Sequence, residues 1–218
     1  YPKGLWLTER IWEPHLPKVL AKAGVKYVTV DDYHFISAGI PREDLLGYYV
    51  TEEEGVTVNI FPISKQLRYL IPFKLPEETI SYLKSIATEH GNTAAILADD
   101  GEKFGVWPGT HKWVYQDGYL ERLLDLFEKN SDWIEFETFS EYMEKVPPLG
   151  RVYLPTASYF EMMEWALPTE SGKKLDRILN DIRNQGREEE YEQFFKGGFF
   201  RNFFVKYPEA NNMHKRML

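Results

Sequence analysis

The sequence contains no cysteine, which excludes disulfides and thiolate-bound metal centres and fits a reducing compartment, so a cytoplasmic location is the expectation. It also lacks any excess of positive charge, its formal net charge being -8 at pH 7. Displacing counterions from a polyphosphate requires a cationic face, so no nucleic-acid partner is expected. No window approaches about 18 uninterrupted apolar residues, and no basic segment followed by an apolar run opens the chain. Neither a membrane span nor a signal peptide is therefore expected. Walker loops, G-x-G-x-x-G and H-E-x-x-H are absent as well, which removes the usual signatures of nucleotide and zinc-protease chemistry.

What remains is a chain of 218 residues with 43% hydrophobic and 28% charged residues, enough apolar material for a core and enough charge for a globular domain. Aromatic residues reach 16%, with six tryptophans. Packing accounts for that number before sugar stacking does, since tryptophan is a common partly buried core residue.

The order of elements reads as α/β. Gly4 to Leu7 is a strand, and a helix follows with Leu16, Val19, Leu20 and Ala23 on one face and Gly24 at its end. Val25 to Val30 reads as a buried strand, Pro41 to Leu45 as a short acidic helix, and Val56 to Phe61 as another strand, with loop between. Pro76 opens a helix whose apolar positions are Ile80, Leu83, Ile86 and Ala87. Thr93 to Ala98 is a strand candidate that delivers Asp99-Asp100-Gly101-Glu102 at its end. A helix over Tyr119 to Asn130 turns Leu120, Leu123, Leu124 and Phe127 inward; a strand is expected at Trp133 to Glu137, then a helix opened by a Thr138/Glu141 capping box. Arg151 to Leu154 reads as a last short strand. Beyond it the texture is helical, with Phe199, Phe200, Phe203 and Phe204 on one wide apolar face. Such alternation implies parallel strands with crossover helices, whose chemistry sits at strand ends.

Two acidic clusters occupy such ends, Glu9 after Trp6-Leu7 and Asp99-Asp100-Gly101-Glu102 after Ile96-Leu97. Paired carboxylates serve glycoside hydrolysis when one is ionised and the other holds a proton. A capped turn explains the same residues without chemistry. The acidic stretch lacks the alternating ligands of a calcium loop, and His34 beside Asp31 and Asp32 reads as a hydrogen-bonded loop histidine before a metal ligand. No cofactor and no metal are expected.

Two longer strings narrow the choice. Gly4-Leu5-Trp6-Leu7-Thr8-Glu9-Arg10-Ile11-Trp12 and Asp99-Asp100-Gly101-Glu102-Lys103-Phe104-Gly105-Val106-Trp107-Pro108-Gly109-Thr110 resemble signature regions of glycoside hydrolase family 57. Val30 to Phe35, Leu67 to Phe73, Ala157 to Met162 and Met213 to Leu218 are similar to the 4-α-glucanotransferase and α-amylase branch. The resemblance implies part of a (β/α)7 pseudo-TIM barrel over residues 1–150, with residues 151–218 forming the last barrel element and a helical segment packed on the barrel. It implies a retaining mechanism with Glu9 as nucleophile and Asp100 as acid/base, acting on α-glucan or maltooligosaccharide by transfer or by hydrolysis. Trp6, Trp107 and Trp165 would be stacking platforms, and Asp31, His34 and Glu102 would hold sugar hydroxyls. Homodimer formation is left open. The family's His-Gln-Pro segment and the branch's C-terminal β-sandwich have no counterpart here, so the chain is expected to be a piece of a longer polypeptide whose activity needs the missing strands. A non-catalytic carbohydrate-binding homologue is the alternative.

Overall fold

Strands and helices alternate in the order that hydrophobic periodicity dictates, with exceptions that turn chemistry explains. The computed structural model describes residues 1–217; Leu218, the last residue of the Met213 string, lies outside the described residues. In chain order the main elements are β1 (Gly4–Trp6), α1 (Leu16–Lys22), β2 (Tyr27–Asp31), α2 (Asp32–Ile36), β3 (Tyr49–Glu53), β4 (Val56–Ile63), α3 (Lys65–Leu70) and α4 (Pro76–Ile86). There follow α5 (Tyr119–Lys129), α6 (Phe139–Lys145), β5 (Gly150–Arg151), α7 (Phe160–Trp165) and α8 (Thr169–Asn184), then short helical turns.

The expected loop before β4 contains a strand. Tyr49 pairs with Ile60 and Glu53 with Val56 in an antiparallel ladder, closed by Glu54 at φ 50° and Gly55 at φ 80°. Both central residues of a tight hairpin turn sit in the left-handed region, which glycine adopts without strain and glutamate does not. The sheet is therefore mixed: its order is β1-β2-β4-β3-β5, with β1 parallel to β2 and β3 parallel to β5.

Two expected strands are irregular instead. In Thr93 to Ala98 the main-chain bonds go singly, Ala94 N to Leu46 O at 3.2 Å and Ser64 N to Ile96 O at 2.8 Å, so no ladder forms. Trp133 closes a turn, and the residues from there to Glu137 belong to no strand. The last strand is also shorter than expected, ending at Arg151. The pattern at Phe199 is broken into two short turns, over Phe200–Asn202 and Phe203–Lys206, in place of one continuous helical face.

Two units divide the chain. The first comprises Tyr1–Leu45, Tyr49–Pro62 and the residues from Gly150 onward. Its core gathers Trp12, Leu20, Val28, Val30, Phe35, Ile60 and Leu154, all buried. Burial of each such large side chain contributes about 1.5–3 kcal/mol, which fixes the sheet against its helices. Leu46–Tyr48 and Ile63–Leu149 form the second unit, whose core is Leu67, Leu70, Ile71, Val114, Tyr119 and Leu123. In α5 the buried positions are Tyr119 and Leu123, one turn apart, while Leu124 is 58% exposed, against expectation. Helical geometry puts Leu124 a hundred degrees round from Leu123, past the edge of the packed face. The capping box of α6 forms as expected, with Glu141 N donating to Thr138 Oγ1 at 3.3 Å and Thr138 N to Glu141 Oε2 at 2.9 Å. No helix among the described residues is long and apolar enough to cross a membrane.

Candidate active-site residues

In the first unit, the chain leaving β1 makes a single tight turn over Thr8–Arg10. Glu9 and Arg10 have φ 50° and 47°, two consecutive non-glycine residues in the left-handed region. That conformation costs roughly 1–2 kcal/mol per residue and persists only where neighbours enforce it. Neighbouring groups enforce it here. Buried Ser158 donates from Oγ to the Glu9 carbonyl at 2.5 Å, and His34 Nε2 lies 2.7 Å from the Arg10 carbonyl. Arg10 N donates to the Leu7 carbonyl at 2.8 Å, and Trp12 exchanges main-chain bonds with Ala157. The outcome is an exposed Glu9 side chain on a pinned backbone.

Arg10 runs inward. Its Nε meets Asp31 Oδ2 at 3.0 Å with both side chains almost fully buried. The guanidinium lies over the rings of Tyr159, at 4.3 Å, and Trp6, at 5.6 Å, contacts that favour a cation. Tyr159 in turn donates its hydroxyl to Glu9 Oε2 at 2.8 Å, and Trp165 stands edge-on to the Tyr159 ring at 6.1 Å. Burial, then the bond to Glu9 and its charge, push the Tyr159 phenol well above its ordinary pKa, so it remains a donor.

His34 is fully buried, its Nδ1 3.1 Å from the Asp31 carbonyl and its Nε2 facing Arg10. Burial pushes the imidazole below its ordinary pKa, against the pull of the Asp31 carboxylate and of the carbonyls around it. A neutral ring has one N–H, and the shorter approach favours placing it on Nε2. Asp31 and His34, expected to hold sugar hydroxyls, are both buried here, Asp31 against Arg10 and His34 between two main-chain carbonyls.

In the second unit, adjacent aspartates have different surroundings. Asp99 is committed: Arg68 Nε reaches it at 3.2 Å, Lys103 Nζ at 2.6 Å and the Asp100 main-chain N–H at 2.9 Å. Asp100 is partly exposed, and among the described residues none donates a hydrogen bond to its carboxylate. Replacing Asp99 by Asn takes the carboxylate away from Lys103, whose side chain is only 8% exposed, and removes one of the contacts of Arg68. A loss of about 3–5 kcal/mol is expected, read from the urea midpoint and slope of D99N.

Beyond Asp100 the main chain curls back, Val106 N and Trp107 N both donating to the Glu102 carbonyl, at 2.9 and 3.1 Å. Gly105, at φ 141°, makes this possible, and a side chain there would press on Tyr115. Trp107 stacks on Phe73 at 5.9 Å, with Lys103 Nζ over both rings, and the two aromatics line a concavity of about 390 Å³ with Pro108, Gly109, Thr110 and Trp113. Glu102 is exposed. Of the residues expected from sequence, Trp6, Glu9 and Trp165 are gathered in the first unit, and Asp100, Glu102 and Trp107 in the second. Tyr159, Ser158, Lys103, Arg68 and Phe73 were missed. Their signal was faint: each lies in or beside one of the quoted strings, without a pattern that assigns it a task. No three His, Asp or Glu side chains among the described residues gather in a way that could hold a metal ion.

These arrangements have counterparts. The family model described as Glycosyl hydrolase family 57 matches residues 1–155, and one described as Alpha-amylase/4-alpha-glucanotransferase, middle domain, matches 198–218. The chain is 50% identical over 216 residues to the 4-alpha-glucanotransferase of Thermococcus litoralis, covering 99% of this chain and 33% of that protein. It is 50% identical over 217 residues to Alpha-amylase 1 of Dictyoglomus thermophilum, covering 100% of this chain and 32% of that one. The crystal structure of 4-alpha-glucanotransferase from Thermococcus litoralis superposes with a TM-score of 0.93, over 99% of this chain and 34% of the other. The chain thus spans about a third of the length of the curated relatives it matches. With the matched region containing the Glu9 turn and the Asp99-Asp100 pair alike, the chain belongs to glycosyl hydrolase family 57.

Proposed function

We propose that this chain carries catalytic residues of a retaining α-1,4-glucan-active enzyme, a 4-α-glucanotransferase that passes maltooligosaccharide pieces between acceptors. The observation that carries the reading is the Glu9 carboxylate, exposed on a strained, fully bonded turn and held through one oxygen by Tyr159. In the proposed reaction Asp100 gives its proton to the departing glucan oxygen while Glu9 bonds to the anomeric carbon. An acceptor hydroxyl then attacks that carbon, returning a proton to Asp100 and the bonding electron pair to the Glu9 carboxylate. Trp6, Trp107 and Trp165, each at least a third exposed, present ring faces to sugars, and Glu102 presents acceptor oxygens. Asp31 and His34 support the Glu9 turn.

Water as acceptor gives hydrolysis, and the relatives named alpha-amylase support that second reading. The experiment is incubation of the protein, as its gene encodes it, with maltotriose, followed by product sizing. Longer oligomers together with glucose are the expected result. Glucose and maltose without longer products favour hydrolysis, and no turnover contradicts both readings.

A further inference from the structure

We propose that Tyr159 is a positioning residue for the covalent step, a role that rests on the assignment of Glu9 as nucleophile. Its hydroxyl hydrogen points at Glu9 Oε2, 2.8 Å away, which leaves the other carboxylate oxygen for attack on the anomeric carbon. The ring is fixed from two sides, by the Arg10 guanidinium at 4.3 Å and by Trp165 edge-on at 6.1 Å. Arg10 is in turn pinned to buried Asp31, so the aim of the phenol is set by an interior ion pair. Next to Tyr159 in sequence, Ser158 Oγ holds the Glu9 main-chain carbonyl. One dipeptide therefore fixes both the backbone and the side chain of Glu9.

The same bond acts twice. While Glu9 attacks, it keeps the carboxylate in one rotamer. Once the glycosyl ester has formed, Oε2 is the ester carbonyl oxygen, and it regains negative charge as the acceptor oxygen bonds to the anomeric carbon and the glycosyl–Glu9 bond breaks. A donor aimed at that oxygen stabilises the departing carboxylate, so its loss slows release of the ester more than its formation.

The test uses Tyr159→Phe in the protein as its gene encodes it, with maltosyl fluoride as a donor whose leaving group needs no proton. The expected result is a steady-state kcat lowered about 10- to 100-fold, with a burst of fluoride equal to the enzyme concentration and an unchanged melting midpoint. Tyr159→Leu, which also removes the ring beneath Arg10, should lower the burst rate too. A Y159F protein with the parent's burst and steady state overturns the proposal, as does one that loses activity and melting midpoint together without a burst. Glu9→Gln run alongside separates the two readings: turnover by E9Q removes the nucleophile assignment itself, whereas a silent E9Q beside an unaffected Y159F removes only the role of Tyr159.

Discussion

Glutamine at position 9 is expected to reduce turnover of maltotriose by about ten-thousand-fold or more, because the amide cannot form the glycosyl ester on which transfer depends. The fold should survive, since the main-chain bonds that pin the turn, from Ser158 Oγ and to Leu7 O, do not involve the side-chain oxygens. A further sign distinguishes a nucleophile from a merely bound carboxylate. With Glu9→Ala, added azide should occupy the vacated space and restore reaction of an activated donor, giving a glycosyl azide of inverted configuration. Turnover of maltotriose by E9Q near the parent rate would contradict the assignment.

Asparagine at position 100 gives the second large effect, and its size should depend on the leaving group. With maltotriose a fall of about a hundred- to ten-thousand-fold is expected, because the departing sugar oxygen has lost its proton donor. With maltosyl fluoride the first step proceeds without a donor, but the second still lacks a base, so the glycosyl-enzyme accumulates. The neighbouring Asp99 should behave otherwise. Its carboxylate is occupied by Arg68, Lys103 and the Asp100 N–H, so D99N loses stability chiefly through the buried Lys103 ammonium, and its activity loss should not discriminate between donors.

Much of the fold was legible where local chemistry and periodicity agree. Pro76 at the start of α4, the Thr138/Glu141 box on α6 and the Leu16, Leu20 stripe of α1 each follow from single-residue rules, and the helices begin where those residues stand. β3 was hidden because Glu52 and Glu53 end it and Glu54 follows in the turn, and a run of three acids reads as solvated loop until the turn at Gly55 is seen to pair it with β4. Thr93 to Ala98 failed in the opposite sense. Its apolar run satisfies a strand rule, but its main-chain groups find separate partners, a choice made by tertiary packing that periodicity does not encode.

Of the proposed site, the carboxylates were legible in the sequence and the residues around them less so. Glu9 and Asp100 stand in strings specific enough to single them out. The bond from Tyr159 to Glu9 spans 150 positions, and the Arg10–Asp31 ion pair spans 21, so neither leaves a local trace. Asp31 and His34 were given a sugar-binding task by the family resemblance alone. Here β2 ends inside the core, every residue from Val28 to Ser37 is buried, and both side chains touch Arg10 of the strained turn.

The nucleophilic role of Glu9 is tested most directly by peptide mapping by mass spectrometry of the D100N protein quenched during reaction with maltosyl fluoride. A maltosyl ester on the peptide that contains Glu9, absent when Glu9 is also replaced by Gln, is the expected result. An unlabelled Glu9 peptide under conditions where fluoride is released, or a label on any other carboxylate, would contradict it.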